Sequence, residues 1–550
     1  MNVPGNSRAR PTSHIHIYLF ERTHNIMTTS KAEINKHHAD LNATFNSGKT
    51  KSLSWRKDQI KALIQGCTEQ QDEIYKALSL DLGKPRAAAM AEVGAIIKEA
   101  KDAYYDLPQW ADLTKVKTPL MLQPGTSSWL QPQPLGVALI IGPWNFPFTL
   151  MMQPLLGAIA AGCCTVLKPS EFSPNTSNII KKVVEGYLDN DAIRVIMGDA
   201  SVSRHLVELL KWDKIFFTGG IEIGRKVAVA AAENLTNITL ELGGKNPVVV
   251  DKDVNMKTCV KRVLWAKMEN AGQFCLGADY MVLHQDIADE FLTEFTKLHT
   301  EYWGDNPGKP ETIDKMPCRI VNERHWQRLY DMIVEIEEAK PPGSKGKIMY
   351  GGSATANKET LFIPLTLIKD PPIESRVMGE EIFGPLLPII TVPNIDAGIL
   401  FVNNMPLKHP LAIYSYSNNI KVARRVIEET MSGSAAINDC MLQVINNFLP
   451  FGGVGSSGMG FYHGKFSFDA FTHHKSVMKR GTGWDPVFGD RNYSLHLDTQ
   501  ALEKIIRLVF FSGGEVRDPL LLEVLMKKAV VGVCLAALVY YGKEYFSEFL

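Results

Sequence analysis

From Ser54 onward apolar side chains recur at helical spacing. Ile60, Leu63, Ile64 and Cys67, then Ile74, Ala77 and Leu78, fall three and four residues apart and share one helix face. Gly83-Lys84-Pro85 interrupts that face. Residues 87–107 restart it in a second helix, which Pro108 is expected to end because proline has no N–H to donate. Residues 118–134, rich in Pro and Gln, read as an extended or hairpin insertion. Beyond them the period changes. Short β-rich runs at 136–141, 164–167, 194–197 and 214–217 alternate with helical stretches that start near Phe146, after Pro174 and near Ile223. Such alternation predicts an α/β fold with a parallel sheet covered by helices on both faces. Ligands of such sheets sit beyond the carboxyl ends of the strands, so the residues there carry most information.

Two of those ends suit a nucleotide. Lys168-Pro169-Ser170-Glu171 follows Leu167, and a Lys and a Glu three apart can clasp ribose hydroxyls. Thr218-Gly219-Gly220 follows Phe217, with Gly224 near the start of the next helix, where free backbone N–H groups can face a pyrophosphate. A literal GxGxxG occurs instead at Gly453-Val454-Gly455-Ser456-Ser457-Gly458. It follows Pro450-Phe451 rather than a strand and has no βαβ unit around it, so it reads as a turn. Residues 46–50 resemble half a P-loop but carry Ala43 where the first glycine is required.

Between Thr239 and Leu276 lies a pair of a different kind. Glu241 stands where the apolar Ile238, Leu240 and Leu242 meet Gly243-Gly244. Cys275 stands where a helical stretch ends in Asn270-Ala271-Gly272-Gln273-Phe274. A carboxylate and a thiol, each beside glycines that let backbone approach a ligand, suit a base and a nucleophile. Taken alone, such a pair reads more readily as a structural cysteine and a surface glutamate; its context reverses that reading. His463, His473 and His474 have no zinc spacing and read as core or surface residues, and Asp439 reads as part of a turn. No metal site is expected.

Composition narrows the class. The chain has 550 residues, enough for two or three full cores, with 45% hydrophobic and 21% charged positions. Lys+Arg and Asp+Glu both number 59, so nothing in the charge favours nucleic acid. Eight cysteines without a CxxC pair indicate a reducing compartment, and Cys163-Cys164 read as small apolar fillers beside Ala160-Ala161-Gly162.

Seven motifs in order now carry a resemblance: Trp144-Asn145-Phe146-Pro147, LKPSE, FTGG with Gly224, ELGGKNP, GQFC, Glu380-Glu381-Ile382-Phe383-Gly384-Pro385 and PFGGVGSSGMG. Together they closely resemble the aldehyde dehydrogenase superfamily over about residues 50–480. Ile437-Asn438-Asp439-Cys440 and the segment from Leu449 to Ser476 look like its class 3 and fatty-aldehyde branch. The resemblance implies a Rossmann-like parallel-sheet NAD-binding domain, an α/β catalytic domain, a small β oligomerisation or bridging element and a helical C-terminal tail. It divides the chain into a disordered arm at 1–30, an NAD-binding domain at 31–240 with 118–134 in the bridging element, and a catalytic domain at 241–436. A return to the core and bridging element at 437–480 and a tail at 481–550 complete it.

It also implies roles. Cys275 attacks an aldehyde to give a thiohemiacetal, Asn145 donates to the oxyanion, and Glu241 activates water against the resulting thioester. Lys168 and Glu171 hold the adenosine ribose, Thr218, Gly219, Gly220 and Gly224 face the pyrophosphate, Glu381 bonds the nicotinamide ribose, and Phe383 packs nearby. NAD is the expected cofactor, with NADP a poorer one, and a homodimer is the expected assembly. Two departures fall on the substrate loops: Ala278 where relatives often have proline, and Gln443 where class 3 relatives often have histidine.

The ends add context. Residues 1–30 have no apolar core for a secretory signal, which needs roughly 7–15 such residues. Arg8, Arg10 and Arg22 faintly suggest a transit peptide, but a disordered arm, with Met27 as an alternative start, is the favoured reading. Residues 529–541 are uncharged and flanked by Lys527-Lys528 and Lys543. They are shorter than the ~20 residues of a straight membrane span, but snorkelling lysines extend the reach, so an anchor near 527–545 is expected in preference to a buried core helix. That implies a membrane-bound enzyme facing the cytosol, acting on medium- to long-chain fatty aldehydes. The same reaction on short or aromatic aldehydes, and a catalytically silent scaffold, are the competing readings.

Overall fold

Strands with parallel pairings form the centre of both large sheets because their mainly apolar runs are covered on both faces, which removes the alternation an exposed sheet would need. In the computed structural model, which describes residues 28–118, 126–304 and 318–481, Val137–Ile141, Cys164–Lys168 and Lys214–Thr218 are buried along their whole length. The chain forms two compact units: Met1–Ala111 with Gln133–His473, and Asp112–Pro132 with His474–Leu550.

The larger unit holds two sheets. The first runs Gly458–Met459, Asn237–Glu241, Lys214–Thr218, Val137–Ile141, Cys164–Lys168, Ile193–Val195. All its pairings are parallel except the short antiparallel bridge of Gly458–Met459 onto Asn237–Glu241. The second runs Lys347–Tyr350, Thr366–Lys369, Leu386–Val392, Tyr280–His284, Pro247–Val250, Ala412–Tyr416, Ser434–Ile437, antiparallel only at its first pair. Most of a three-stranded sheet of Thr114–Val116, Thr126–Pro134 and Thr472–Arg480 belongs to the smaller unit. The expected α/β architecture is therefore present.

Several boundaries differ from the sequence reading. Thr29 and Ser30, assigned to the disordered arm, are held in place: Thr29 exchanges bonds with Met197, and Ser30 caps a helix at Lys31–Asn46. The first helical stretch is two helices, Leu53–Glu69 and Gln71–Leu82. Pro108 does not end its helix, which continues to Ala111: a proline so near the terminus forfeits one of the last bonds, and packing of the apolar face outweighs it. The helix expected near Phe146 begins at Thr149, because Oε1 of the distant Glu92 accepts from Phe148 N and Thr149 N and fixes the start. Cys163 and Cys164 are buried as expected, and burial pushes their thiols up to about 11 and about 12. The GxGxxG stretch is the turn and bridge at Gly455–Met459, not a strand-to-helix loop. Among the described residues no helix is long and apolar enough to cross a membrane. The expected anchor and most of the expected tail lie outside the described residues.

Candidate active site

Strand register brings the predicted residues to one edge of the first sheet. Ile141 lies opposite both Lys168 and Phe217, and Thr218 lies opposite Glu241, so four neighbouring strands end together. Lys168 is buried, and its Nζ donates to Pro169 O (2.8 Å) and Glu171 Oε2 (3.2 Å). Burial lowers its pKa, and Glu171 opposes that shift. The pair expected to clasp a ribose is thus already organised by its own contact. Thr218 Oγ1 is buried with no partner among the described residues. Gly220 precedes the helix Ile221–Glu233 without a side-chain cap, which leaves first-turn N–H groups for an acceptor. Gly219 N donates to Glu241 O (3.1 Å). Gly224 serves packing: a Cβ there would meet Leu242 Cδ2 at 2.5 Å. An orphaned hydroxyl beside an uncapped helix start fits the diphosphate of a dinucleotide.

The thiol loop is built from left-handed backbone. After the helix Met256–Met268 the chain turns through Asn270 (φ 52°), Ala271 (φ 54°) and Gly272 (φ 73°). The two non-glycine residues cost about 1–2 kcal/mol each. Buried polar side chains offset this. Asn270 Nδ2 donates to Asn145 O (2.9 Å) and Gln273 O (3.0 Å), and Gln273 Nε2 donates to Asn270 O and Arg319 O (3.0 Å each). Gln273 Oε1 accepts from Val321 N (3.0 Å). Asn246 Nδ2 holds the Cys275 carbonyl at 2.6 Å. Asn145, 3% exposed on the loop after Val137–Ile141, donates to Gln273 O (3.1 Å) and so stands two residues from the thiol with a second amide hydrogen in reserve. Phe146 and Phe274 pack together at 4.5 Å.

Three titratable groups share this place. Burial pushes the Cys275 thiol well above its ordinary value, and the fields of Glu381 and Glu241 add to the shift. Glu241 is 3% exposed, and neither carboxyl oxygen has a partner among the described residues. Burial raises its pKa well above the carboxylate range, with Lys214 opposing. Burial pushes Glu381 up to about 8, Asp279 adding and the Gly244 N–H, Lys245 and Arg328 opposing. The resting thiol is therefore protonated, and the two carboxyls whose fields reach it are more basic than free carboxyls.

Sequence reasoning missed the frame that aims Glu381. Lys245, inside GGKNP, pairs with Asp279 and donates to Val377 O (2.7 Å) and Glu380 O (2.9 Å). Asp279 Oδ1 accepts from Ile382 N (2.9 Å), and Arg328 donates to Glu381 O (3.3 Å). The available signal was a run of polar residues in otherwise apolar loops. Phe383 (φ 49°) sets its ring edge-on to Trp144 at 5.4 Å. The two departures flank the thiol: the Ala278 carbonyl accepts from Lys267 Nζ (2.9 Å), and Gln443 lies beside Tyr414, whose hydroxyl donates to Leu276 O (2.6 Å). Asp439 pairs with Arg262 (3.5 Å) and accepts from Cys440 N, as a turn residue would. His463 is buried, and His473 and His474 are exposed.

Gly243 offers a direct test of this frame. A Cβ there would collide with the Glu381 carboxylate. Gly243→Ala is expected to raise the cofactor KM roughly tenfold, the loss of about one charge-assisted hydrogen bond, with the thiol still titratable by an alkylating reagent. Initial-rate kinetics against cofactor concentration check it.

The family model described as the aldehyde dehydrogenase family matches residues 12–477. Aldehyde dehydrogenase family 3 member F1 of Arabidopsis thaliana is 40% identical over 84% of this chain and 93% of its own. The 4,4'-diaponeurosporen-aldehyde dehydrogenase of Staphylococcus aureus is 40% identical over 80% of this chain and 93% of its own. The solved substrate-bound state of Staphylococcus aureus AldH superposes with a TM-score of 0.77 at 38% identity, over 82% of this chain and 95% of that one.

Proposed function

We propose, from the premise that this chain belongs to the aldehyde dehydrogenase family and to its class 3 branch, a mechanism and a substrate class for its NAD(P)-dependent aldehyde oxidation. The observation that carries the mechanism is the buried Glu241 carboxyl, without a hydrogen-bond partner among the described residues, whose field reaches the Cys275 thiol. Cys275 Sγ bonds to the aldehyde carbon while its proton passes to a carboxylate in reach. The second amide hydrogen of Asn145 meets the oxyanion, a donor typically worth ~10²–10³ in rate. NAD(P), when bound, supplies the hydride acceptor. Thr218 and the N–H groups ahead of Ile221–Glu233 would hold its diphosphate, Lys168 and Glu171 its adenosine ribose, and Glu381 its nicotinamide ribose. Glu241 then takes a proton from water as the water adds to the Cys275 thioester, releasing the acid and restoring the thiol.

The substrate is a medium- to long-chain aldehyde. Leu442, Ile445, Phe448 and Leu449 are exposed, Phe448 by 83%, on the segment whose Gln443 lies beside the Tyr414–Leu276 contact next to the thiol. An apolar rim at the mouth of a site favours an apolar ligand. The relative named for 4,4'-diaponeurosporen-aldehyde and the uncharged run at 529–541, outside the described residues, support the same class. NAD is preferred to NADP, because Glu171 repels a 2′-phosphate and Lys168, engaged with Glu171, offsets it only in part.

A panel of aldehydes from about two to about eighteen carbons, with each cofactor, tests this. Each buried CH₂ is worth ~0.8 kcal/mol, so kcat/KM should climb over several steps of chain length. A flat profile, or one that peaks at the shortest aldehydes or at aromatic ones, removes the fatty-aldehyde reading, and an NADP preference removes the placement of Glu171.

A further inference from the structure

Lys214 is a charged residue at the heart of the first sheet, and nothing in the proposed chemistry uses it. It lies opposite Asn237 on the neighbouring strand, as Thr218 lies opposite Glu241. Since alternate residues of a strand share a face, Lys214, Phe216 and Thr218 point to the same side as Asn237, Thr239 and Glu241. Lys214 is 2% exposed. Its Nζ donates to Asn237 Oδ1 (2.6 Å) and Thr239 Oγ1 (2.7 Å), and the second of these bonds draws the side chain along the face toward Glu241. Among the described residues no carboxylate lies within ion-pair distance of it. The layer around it is aromatic: the Phe471 ring lies 5.9 Å from Nζ, Phe216 and Phe471 stack at 6.0 Å, and Tyr462 meets Phe216 edge-on at 5.0 Å.

An ammonium without a counterion and a carboxyl without a hydrogen-bond partner thus occupy one dry face of one sheet. We propose that Lys214 is a positioning residue for the base, whose buried positive charge keeps Glu241 ionised during thioester hydrolysis. This rests on the reading of Glu241 as that base. The groups that bear on Glu241 are Lys214, Cys275 and Tyr462, and those that bear on Lys214 are Cys163 and Glu241. The thiols and the phenol are all raised by burial and hence neutral near pH 7, so only Lys214 and Glu241 exchange opposite charges. Burial drives Lys214 down to about 7 and Glu241 up, and each charged form opposes the shift of the other. The two therefore titrate as a unit. With few mobile dipoles in the aromatic layer, the field of one charge reaches the other weakly screened.

The sign of the effect follows. Without the cation the carboxylate is costlier, so Glu241 holds its proton to higher pH and hydrolysis at neutral pH slows. Rapid-mixing kinetics of the full chain, from about pH 6 to about pH 10, would separate the NADH burst from steady-state hydrolysis. The set is wild type, Lys214→Met, Lys214→Gln, Lys214→Arg, Glu241→Gln and the Lys214→Met, Glu241→Gln double variant. Lys214→Met should keep the burst but hydrolyse roughly tenfold more slowly at pH 7, recovering at high pH, as loss of a nearby opposite charge requires. Lys214→Arg should restore the wild-type profile, and the double variant should be no slower than Glu241→Gln alone.

A Lys214→Met profile superimposable on wild type overturns the proposal. Equal slowing at every pH does so too, since a strand brace would act that way. Should Lys214→Met fail to fold by melting and cofactor binding, Lys214→Gln keeps a donor toward Thr239 without the charge and is read by the same criteria. If Glu241→Gln itself hydrolyses normally, the base reading falls; if it stalls while the Lys214 variants match wild type, only the role of Lys214 falls.

Discussion

Replacing Cys275 by serine is expected to abolish aldehyde-dependent NADH formation, by roughly 10⁴-fold or more, while cofactor still binds. At ~1.36 kcal/mol per decade that is over about 5 kcal/mol of transition-state stabilisation from a one-atom change. The geometry makes the loss specific. What holds the loop in place is not the sulfur but Asn246 on the Cys275 carbonyl and the net of Asn270 and Gln273, all of which act through backbone or through other side chains. Serine keeps that net and the half-buried volume. It replaces a nucleophile that can be deprotonated in place by one whose alkoxide is far costlier, in a site where burial and two carboxyls already disfavour a negative charge. Stopped-flow NADH absorbance with a saturating aldehyde, alongside cofactor titration by quenching of protein fluorescence, measures both halves. Turnover near the wild-type rate would remove Cys275 from the mechanism.

Glu241→Gln is expected to leave the first half of the reaction and stop the second. A burst of about one NADH per site should be followed by a steady state slower by roughly 10²–10⁴, the usual worth of a positioned general base. The variant should also lose the rising limb of the pH profile, since no group remains to be deprotonated there. Its stability provides an internal control. The folded-state pKa of Glu241 is raised above its unfolded value, so whatever the neutral carboxyl contributes is present at low pH and is lost as pH rises through the folded value. Above the folded value the charged side chain is a burden to the fold, and there an uncharged amide should melt no lower than wild type. A steady state equal to wild type would show that another base activates the water, and a lower melting temperature would show that the carboxyl is structural.

Sequence pattern singled out Glu241 and Cys275 for a physical reason. Each is a reactive side chain placed where an apolar element breaks into glycine, and such places are chemically expensive unless used. The parallel sheet was legible because a strand buried on both faces is apolar along most of its length, as residues 137–141 are throughout and 164–168 are apart from Thr165 and the terminal Lys168. What escaped is what depends on distant partners. Nothing near Phe146 indicates that its helix starts at Thr149, since the capping carboxylate belongs to Glu92 on another helix. The pairing of Lys245 with Asp279 and the grip of Arg328 on the Glu381 backbone join segments with no shared period. Gly224 carries a constraint that its place in the motif did not display: the side chain of Leu242 leaves no room for a Cβ there. The helix at Lys31–Asn46 was passed over because only Ile34 and Leu41 are buried along it, too few to stand out as a face.

The antiparallel bridge between Gly458–Met459 and Asn237–Glu241 has a consequence for biosynthesis. As the nascent chain leaves the ribosome, the strand bearing Glu241 can pair on one side with Lys214–Thr218 long before its other side is covered. Until Gly458 emerges, that second side is an open row of backbone donors and acceptors beside a reactive carboxyl, the kind of exposed edge on which unfinished chains associate. The fold keeps the waiting edge only five residues long and covers it with a strand of two, which Gly458 allows to approach Leu240 O more closely than any side chain would. The strand that carries Glu241 is thus covered on its second side only after Gly458 has been made, and a chain that ends before it leaves that edge open.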